Sequence, residues 1–414
     1  MKNEAKTIWY CHHYAGSPSM GMSYRPYYLT KEFIQAGHNA YVISASYHHL
    51  LQKPKLQSKP VVMDMVDEVS FITLKVRKYL GNGLPRLLNM LGYARGFKRH
   101  FKKIEKITGK PDVIIVSSSH PFHFPTLKKI AKRYDAKIIF EVRDLWPLSL
   151  LELLKISKSH PMIKWLSRIE RQAYQGSDAV VSLLKQSLPY MHSKGLDEDK
   201  FHVIPNGTSC ELFRQAKPLS AATQKKVDNL LASGSFLLGY AGAIGKPNAL
   251  EFLIQAMAIL QAKNLPIHCV IIGDGNLKEA LEQEVIRLEL ENVSFFPSIP
   301  KFEIPGFLRE LDGFYLGWNK VELYQYGVSP NKLFDYMMAG RPVIESGGAP
   351  ESIIEEVGCG FHCEAEDPQA IAQTILKLYD IPAEERVAMG KRGIHAVEKT
   401  YDYKILAQQY IELL

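Results

Sequence analysis

Between Ser329 and Ile344 the chain reads Ser-Pro-Asn-Lys-Leu-Phe-Asp-Tyr-Met-Met-Ala-Gly-Arg-Pro-Val-Ile, with its ligand-capable residues in the first half. The pattern predicts a loop, a short helix begun near Asn331 and ended by Gly340, and a buried strand entered through Pro342. A helix N-terminus leaves N–H groups unpaired and carries partial positive charge, so it is a seat for phosphate. Lys332 adds a full charge there. One turn on, Asp335 shares a face with Asn331 and Lys332, where its carboxylate can accept hydrogen bonds from a ribose diol. Phosphate and ribose together point to a nucleotide.

Other chemistry-bearing residues sit where predicted strands end. Asp112 to Ser118 is an almost continuously apolar run, the mark of a parallel strand covered on both faces, and it delivers Ser118, Ser119 and His120 to its C-terminal end. Open α/β sheets bind ligands at those ends. Ile138 to Val142 does the same for Arg143 and Asp144, and Phe236 to Gly245 ends in a Gly-rich loop holding Gly242 and Lys246. Ile267 to Gly275 delivers Gly273. At the opening, Thr7 to Cys11 reads as a strand, followed by a loop with Gly16 and Gly21 and a helix closed by Gly37. For Gly16 a simple tight turn is one open reading.

These elements alternate strand and helix along the chain, the pattern of doubly wound α/β sheets. Further strands are expected at Tyr41 to Ser44, Val69 to Leu74 within a variable region, Asp178 to Ser182, Val293 to Phe296, Gly313 to Trp318 and Val343 to Glu345, with a C-terminal helix over Ile405 to Leu414. The segment ending Gly-Arg-Pro-Val, with Asp335 before it, resembles the donor-site signature of the family 4 retaining glycosyltransferases, and the likeness extends over nearly the whole chain. The run Glu141-Val-Arg-Asp-Leu-Trp-Pro147 is similar to the branch acting in bacterial O-antigen and capsule assembly, including N-acetylfucosamine transferases.

That resemblance implies a GT-B fold: two Rossmann-like α/β domains facing a central cleft. Residues 1–202 would hold the acceptor, 203–401 the donor, and a terminal helix at about 402–414 would pack back on the first domain. The implied donor contacts are Gly16, Gly21, Gly242, Lys246, Gly273, Ser329, Asn331, Lys332, Leu333 and Asp335; the implied catalytic set is Arg143, Asp144 and His120. The chain departs from the family at three places: Gly327 stands where the first glutamate is common, Ala243 where an arginine follows the glycine, and Arg143 where a histidine precedes the aspartate. The reaction implied is metal-independent retaining transfer, without a cofactor, from a UDP-linked N-acetyl sugar to a glycan or polyprenyl-diphosphate-linked acceptor. The rivals are a non-hydrolysing UDP-sugar epimerase and a membrane-associated sugar-nucleotide-binding scaffold.

With 414 residues there is core enough for two domains. No apolar run reaches the ~18 residues that span a bilayer, and Met1 to Lys6 is too polar for a signal peptide, so a cytoplasmic protein is expected. The five cysteines are scattered and read as reduced. The pairs His12-His13 and His48-His49 lack matched cysteine or carboxylate spacing, so no metal site is expected. Asp197-Glu198-Asp199 reads as a solvated turn. Charge divides sharply: 32 Lys and Arg face 16 Asp and Glu up to Ile204, a surplus of +16, against −8 in the remainder. An anionic partner of the first half is implied, an acceptor or the inner face of the plasma membrane, with no nucleic-acid motif to suggest otherwise. Leu84 to Ile107 is a basic amphipathic helix whose stripe Leu84, Leu87, Leu88, Leu91, Ala94, Phe101 and Ile104 is expected to pack on the sheet.

Overall fold

The computed structural model describes residues 4–52, 54, 57–81 and 83–414; of the polar stretch Met1 to Lys6, residues 1–3 lie outside the described residues. The chain divides into two compact units, residues 1–205 with 403–414, and residues 206–402.

The first unit is built on an eight-stranded sheet: β1 (Thr7–His12), β2 (Asn39–Ala45), β3 (Val61–Val66), β4 (Val69–Leu74), β5 (Val113–Ser118), β6 (Lys137–Val142), β7 (Ala179–Ser182) and β8 (Phe201–Val203), in the order β3-β4-β2-β1-β5-β6-β7-β8. All neighbours are parallel except β3 against β4. The direction of winding reverses between β1 and β5, so the strand ends His12 and Ser118 flank the crevice where such sheets take ligands. Central strands are apolar because helices cover both faces: every residue of β5 is buried. β3 escapes the sequence reading because it is an edge strand with outward methionines, Met63 and Met65 being 46% and 66% exposed.

The helix Tyr403–Ile411 belongs to this unit, where Tyr403, Leu406, Ala407 and Tyr410 pack with Ile8, Leu29, Phe33, Ile115 and Ile139. The basic helix, Leu84–Thr108, buries Ala94 and Ile104 of the expected stripe but not its leucines, which Met90, Tyr93 and Phe97 replace. Met90, Tyr93, Ala94, Phe97 and Ile104 face inward, while Leu84 stays 66% exposed and Leu88 37%, just after Leu80 at 91%.

The second unit has β9 (Phe236–Ala241), β10 (Ile267–Ile272), β11 (Val293–Phe296), β12 (Gly313–Gly317), β13 (Val343–Ser346) and β14 (Gly360–Cys363), all parallel, in the order β11-β10-β9-β12-β13-β14. Counted within the unit this is 3-2-1-4-5-6, the Rossmann order, with its switch point between β9 and β12.

Candidate functional site

In the second unit the helix Asn331–Ala339 begins after Pro330 and ends at Gly340, whose φ of 75° closes it in the left-handed conformation. Leu333, Phe334, Tyr336 and Met337 are its buried face. Tyr336 fixes the helix to β9: its hydroxyl accepts from the Ala241 N–H at 2.7 Å and donates to the Ala241 carbonyl at 3.1 Å, and its ring stacks on Phe314 at 4.4 Å. The helix N-terminus is thereby set beside the end of β9, at the switch point.

Lys332 reaches back across that strand end. Its ammonium donates to the Tyr240 hydroxyl at 2.6 Å and to Asn248 Oδ1 at 2.5 Å, and lies 4.3 Å from the centre of the Tyr240 ring. Burial lowers this ammonium to about 7. Gly242 makes room for it, since a Cβ there would stand 3.1 Å from Lys332 Cε and 3.2 Å from Nζ. Gly273 is required for another reason: a Cβ would fall 1.9 Å from the Gly242 carbonyl oxygen, so the loops after β9 and β10 touch through backbone alone. Gly242, Gly273 and Lys332 are therefore brought together at one strand edge.

The other expected donor contacts divide. Asn331 and Lys246 are exposed, Lys246 at the start of the short turn Lys246–Asn248. Leu333 is a core residue, 2% exposed, so only its backbone can contribute; its apolar side chain belongs to the helix's buried stripe. Ser329 is occupied: its hydroxyl accepts from the Asn206 N–H at 3.0 Å and its carbonyl from Asn206 Nδ2 at 2.5 Å. Asp335 does not share neighbours with Lys332. Its Oδ1 accepts from the Thr208 hydroxyl at 2.7 Å and its Oδ2 from the Lys301 ammonium at 2.5 Å, in a largely buried ion pair. Tyr240, Asn248, Lys301 and Thr208 were not read from sequence. Tyr240 lies within an apolar strand run, and the other three reach their partners only through long-range packing.

In the first unit, β6 ends at Arg143 and Asp144. Asp144 is exposed; Arg143 is partly so, with its N–H donating to the Ser118 hydroxyl at 3.2 Å. The charged residue two places earlier is structural. Glu141, fully buried, accepts from Arg25 Nε at 2.7 Å, the Ser117 hydroxyl at 2.6 Å, the Tyr10 hydroxyl at 2.9 Å and the Tyr410 hydroxyl. Burial opposes its charge, but the Arg25 and Arg143 guanidiniums and these hydroxyls hold its carboxyl down at about 2. Arg25 also donates to the Ile204 and Pro205 carbonyls.

His120 is not a surface group. It is 0% exposed, with Nε2 2.9 Å from His13 Nδ1, among His12, His48 and His123, which are all buried and all depressed below the usual imidazole value by burial. That removes it from the groups able to touch a substrate. Gly16 and Gly21 are explained by packing: a Cβ on Gly16 would lie 2.3 Å from the Gly21 carbonyl oxygen, and one on Gly21 2.1 Å from that of Leu50. Asp197 to Asp199 lie in an exposed turn. Among the described residues no group of three or more His, Cys, Asp or Glu is placed to hold a metal ion, and no helix is long and apolar enough to cross a membrane.

Two family models match the chain: Glycosyltransferase Family 4 over residues 20–212 and Glycosyl transferases group 1 over residues 222–396. WbjE of Pseudomonas aeruginosa, described as a probable glycosyltransferase, is 22% identical over 332 residues, 78% of this chain and 79% of that protein. WcaI of Escherichia coli K12, described as a colanic acid biosynthesis glycosyl transferase, is 23% identical over 339 residues, 79% of each. Among solved structures, Anabaena Alr3699/HepE in complex with UDP-glucose superposes with a TM-score of 0.65 at 14% identity, covering 99% of both chains. The fold of the two units is GT-B.

Proposed function

We propose, for a glycosyltransferase carrying a family 4 domain followed by a group 1 domain, that it moves a hexose-type sugar from a nucleotide donor to a glycan or polyprenyl-diphosphate-linked acceptor in bacterial surface glycan synthesis. The observation that carries the reading is the Lys332 ammonium beside a helix N-terminus at the Rossmann switch point, without a carboxylate partner among the described ion pairs. A helix dipole and one cation there would stabilise the charge that builds on a departing diphosphate. A UDP-linked donor is favoured by the UDP-glucose complex of the Anabaena structure, and a glycan acceptor by the name of the E. coli relative.

The transfer is proposed to retain anomeric configuration and to need no metal or cofactor, the ammonium and the helix supplying the positive charge. Arg143 and Asp144 are assigned to the reacting sugar, because they follow β6 at its C-terminal end, where open α/β sheets take ligands. Asp335 is assigned to the donor ribose, which then shares the carboxylate with Thr208 and Lys301. The +16 first half and the exposed Leu80, Leu84 and Leu88 suit peripheral attachment to an anionic inner membrane face.

A thermal-shift panel of UDP-, GDP- and dTDP-sugars tests the donor, with ligand at 100-fold its dissociation constant expected to stabilise by about 2.7 kcal/mol. Calorimetry with the bound nucleoside diphosphate then compares wild type and Asp335→Ala. A charge-assisted hydrogen bond is worth about 1.5–3 kcal/mol, so affinity should fall roughly 10- to 150-fold. Silence across the whole panel refutes the donor reading; unchanged affinity in the variant removes only Asp335 from it.

A further inference from the structure

The loop after β9 is pinned at one atom. The Ala243 carbonyl accepts from the Tyr240 hydroxyl at 2.5 Å and from Asn248 Nδ2 at 3.0 Å, and the same two side chains take the Lys332 ammonium on their oxygens. Each is thus fully directed: Tyr240 gives its proton to Ala243 and its lone pair to Lys332, and Asn248 gives an N–H to Ala243 and its carbonyl oxygen to Lys332. This orientation of the Asn248 amide satisfies both neighbours, and the reverse would set N–H against ammonium.

We propose that Tyr240 and Asn248 are positioning residues that present the Lys332 ammonium on neutral oxygens alone, so that its charge is left for the diphosphate of the donor. The inference rests on the nucleotide-donor reading above. An ammonium held by a carboxylate is already neutralised and must break an ion pair to meet a phosphate. Of the nearby carboxylates, Glu251, in the first turn of the helix Leu250–Ala262, bears on Tyr315, while burial alone acts on the Lys332 ammonium, and two others are engaged by partners. Asp335, one turn along the same helix, is held by Lys301 and Thr208. Asp274, after β10, is held by Lys278 and Ser298. The exposed Lys246 adds only positive charge, and Tyr240, Tyr315 and Tyr336 are kept protonated by burial. The cost of holding a desolvated cation without a counter-ion is the depression of Lys332 to about 7, and a bound diphosphate would restore the proton.

The test is calorimetric binding of UDP, GDP and dTDP in turn, between about pH 7 and about pH 9, above the phosphate's own ionisation near 6. In wild type, loss of the proton from Lys332 should weaken binding at least tenfold and at most about fifty-fold across that range, with proton uptake on binding at the lower pH. Asn248→Asp supplies the missing carboxylate. It should bind about tenfold more weakly at pH 7 with a flat pH profile, because the ammonium stays charged but paired. Lys332→Arg, charged throughout, should also be flat. Circular dichroism and melting of each variant establish that it is folded. Wild-type binding that ignores pH, or an Asn248→Asp profile that follows wild type, overturns the inference while leaving the donor reading intact. If no nucleoside diphosphate binds wild type, the donor reading fails first and this inference with it.

Discussion

Acid should loosen the first unit well before any carboxylate ion pair is protonated. His48 and His123 are buried and neutral, each depressed from 6.5 to about 4 chiefly by burial. Because the folded value lies below the unfolded one, the unfolded chain binds more protons between the two, and stability that is complete above about 6.5 falls as pH drops toward 4. At pH 5 each histidine costs about 2 kcal/mol, or about 4 kcal/mol together. His12, His13 and His120 are shifted the same way and deepen the loss.

One group opposes them. Glu170, buried beneath the Tyr174 and Tyr190 hydroxyls, is raised by burial to about 7, so the folded state holds its proton more tightly and regains about 2 kcal/mol over the same interval. The net is a loss of a few kcal/mol between pH 7.5 and 5. Hydrogen exchange at the β1 and β5 amides follows the first unit separately from the second. His123→Phe should remove about 2 kcal/mol of the acid loss, and Glu170→Gln should increase it. Exchange rates whose opening free energy is the same at both pH values, or a His123→Phe variant as acid-sensitive as wild type, would refute a neutral buried cluster.

Glu141→Gln should destabilise the same unit by about 3–5 kcal/mol, since it strands the Arg25 guanidinium without its counter-charge; urea unfolding monitored by the fluorescence of the buried Trp9 measures it. Wild type should bind phosphatidylglycerol vesicles at low salt and release them as salt rises. Leu84→Asp, at an exposed first-turn position where a carboxylate suits the helix, should weaken that binding by about tenfold or more while leaving the melting temperature unchanged, as co-sedimentation and calorimetry would report.

The α/β layout and the strand-helix alternation were legible because buried parallel strands announce themselves as apolar runs: Val113–Ser118, Ile267–Ile272 and Val343–Ser346 are each bounded by turn residues. Gly340 likewise ended its helix where the sequence placed it. What local pattern could not give was partnership. Glu141 stands two residues from Arg143 in sequence, yet the guanidinium that bonds it is that of Arg25, 116 residues away, because β6 ends at Val142 and Arg143 lies beyond the strand. Lys332 was found from its place at a helix start, while Tyr240 and Asn248, 92 and 84 residues earlier, carry no spacing signal. His12 ends β1 and His13 opens the turn after it, and both are buried because that end of a central strand lies in the interior.

The helix Tyr403–Ile411 gives the chain an unusual order of assembly. Residues 206–402 form an insertion within a unit whose last element is made only after the whole insertion has been made, and the insertion's two ends are bridged at Thr208 and Asp402. During synthesis the second unit can therefore close on itself while the first still lacks Tyr403, Leu406 and Tyr410, with the Glu141 carboxylate short of one hydroxyl donor and Phe33 without its ring partner. A nascent chain stopped anywhere before residue 403 carries a closed second unit joined to a first unit whose sheet is made but whose covering helix is not, so quality control acting on the first unit inspects, in effect, whether synthesis has passed that helix.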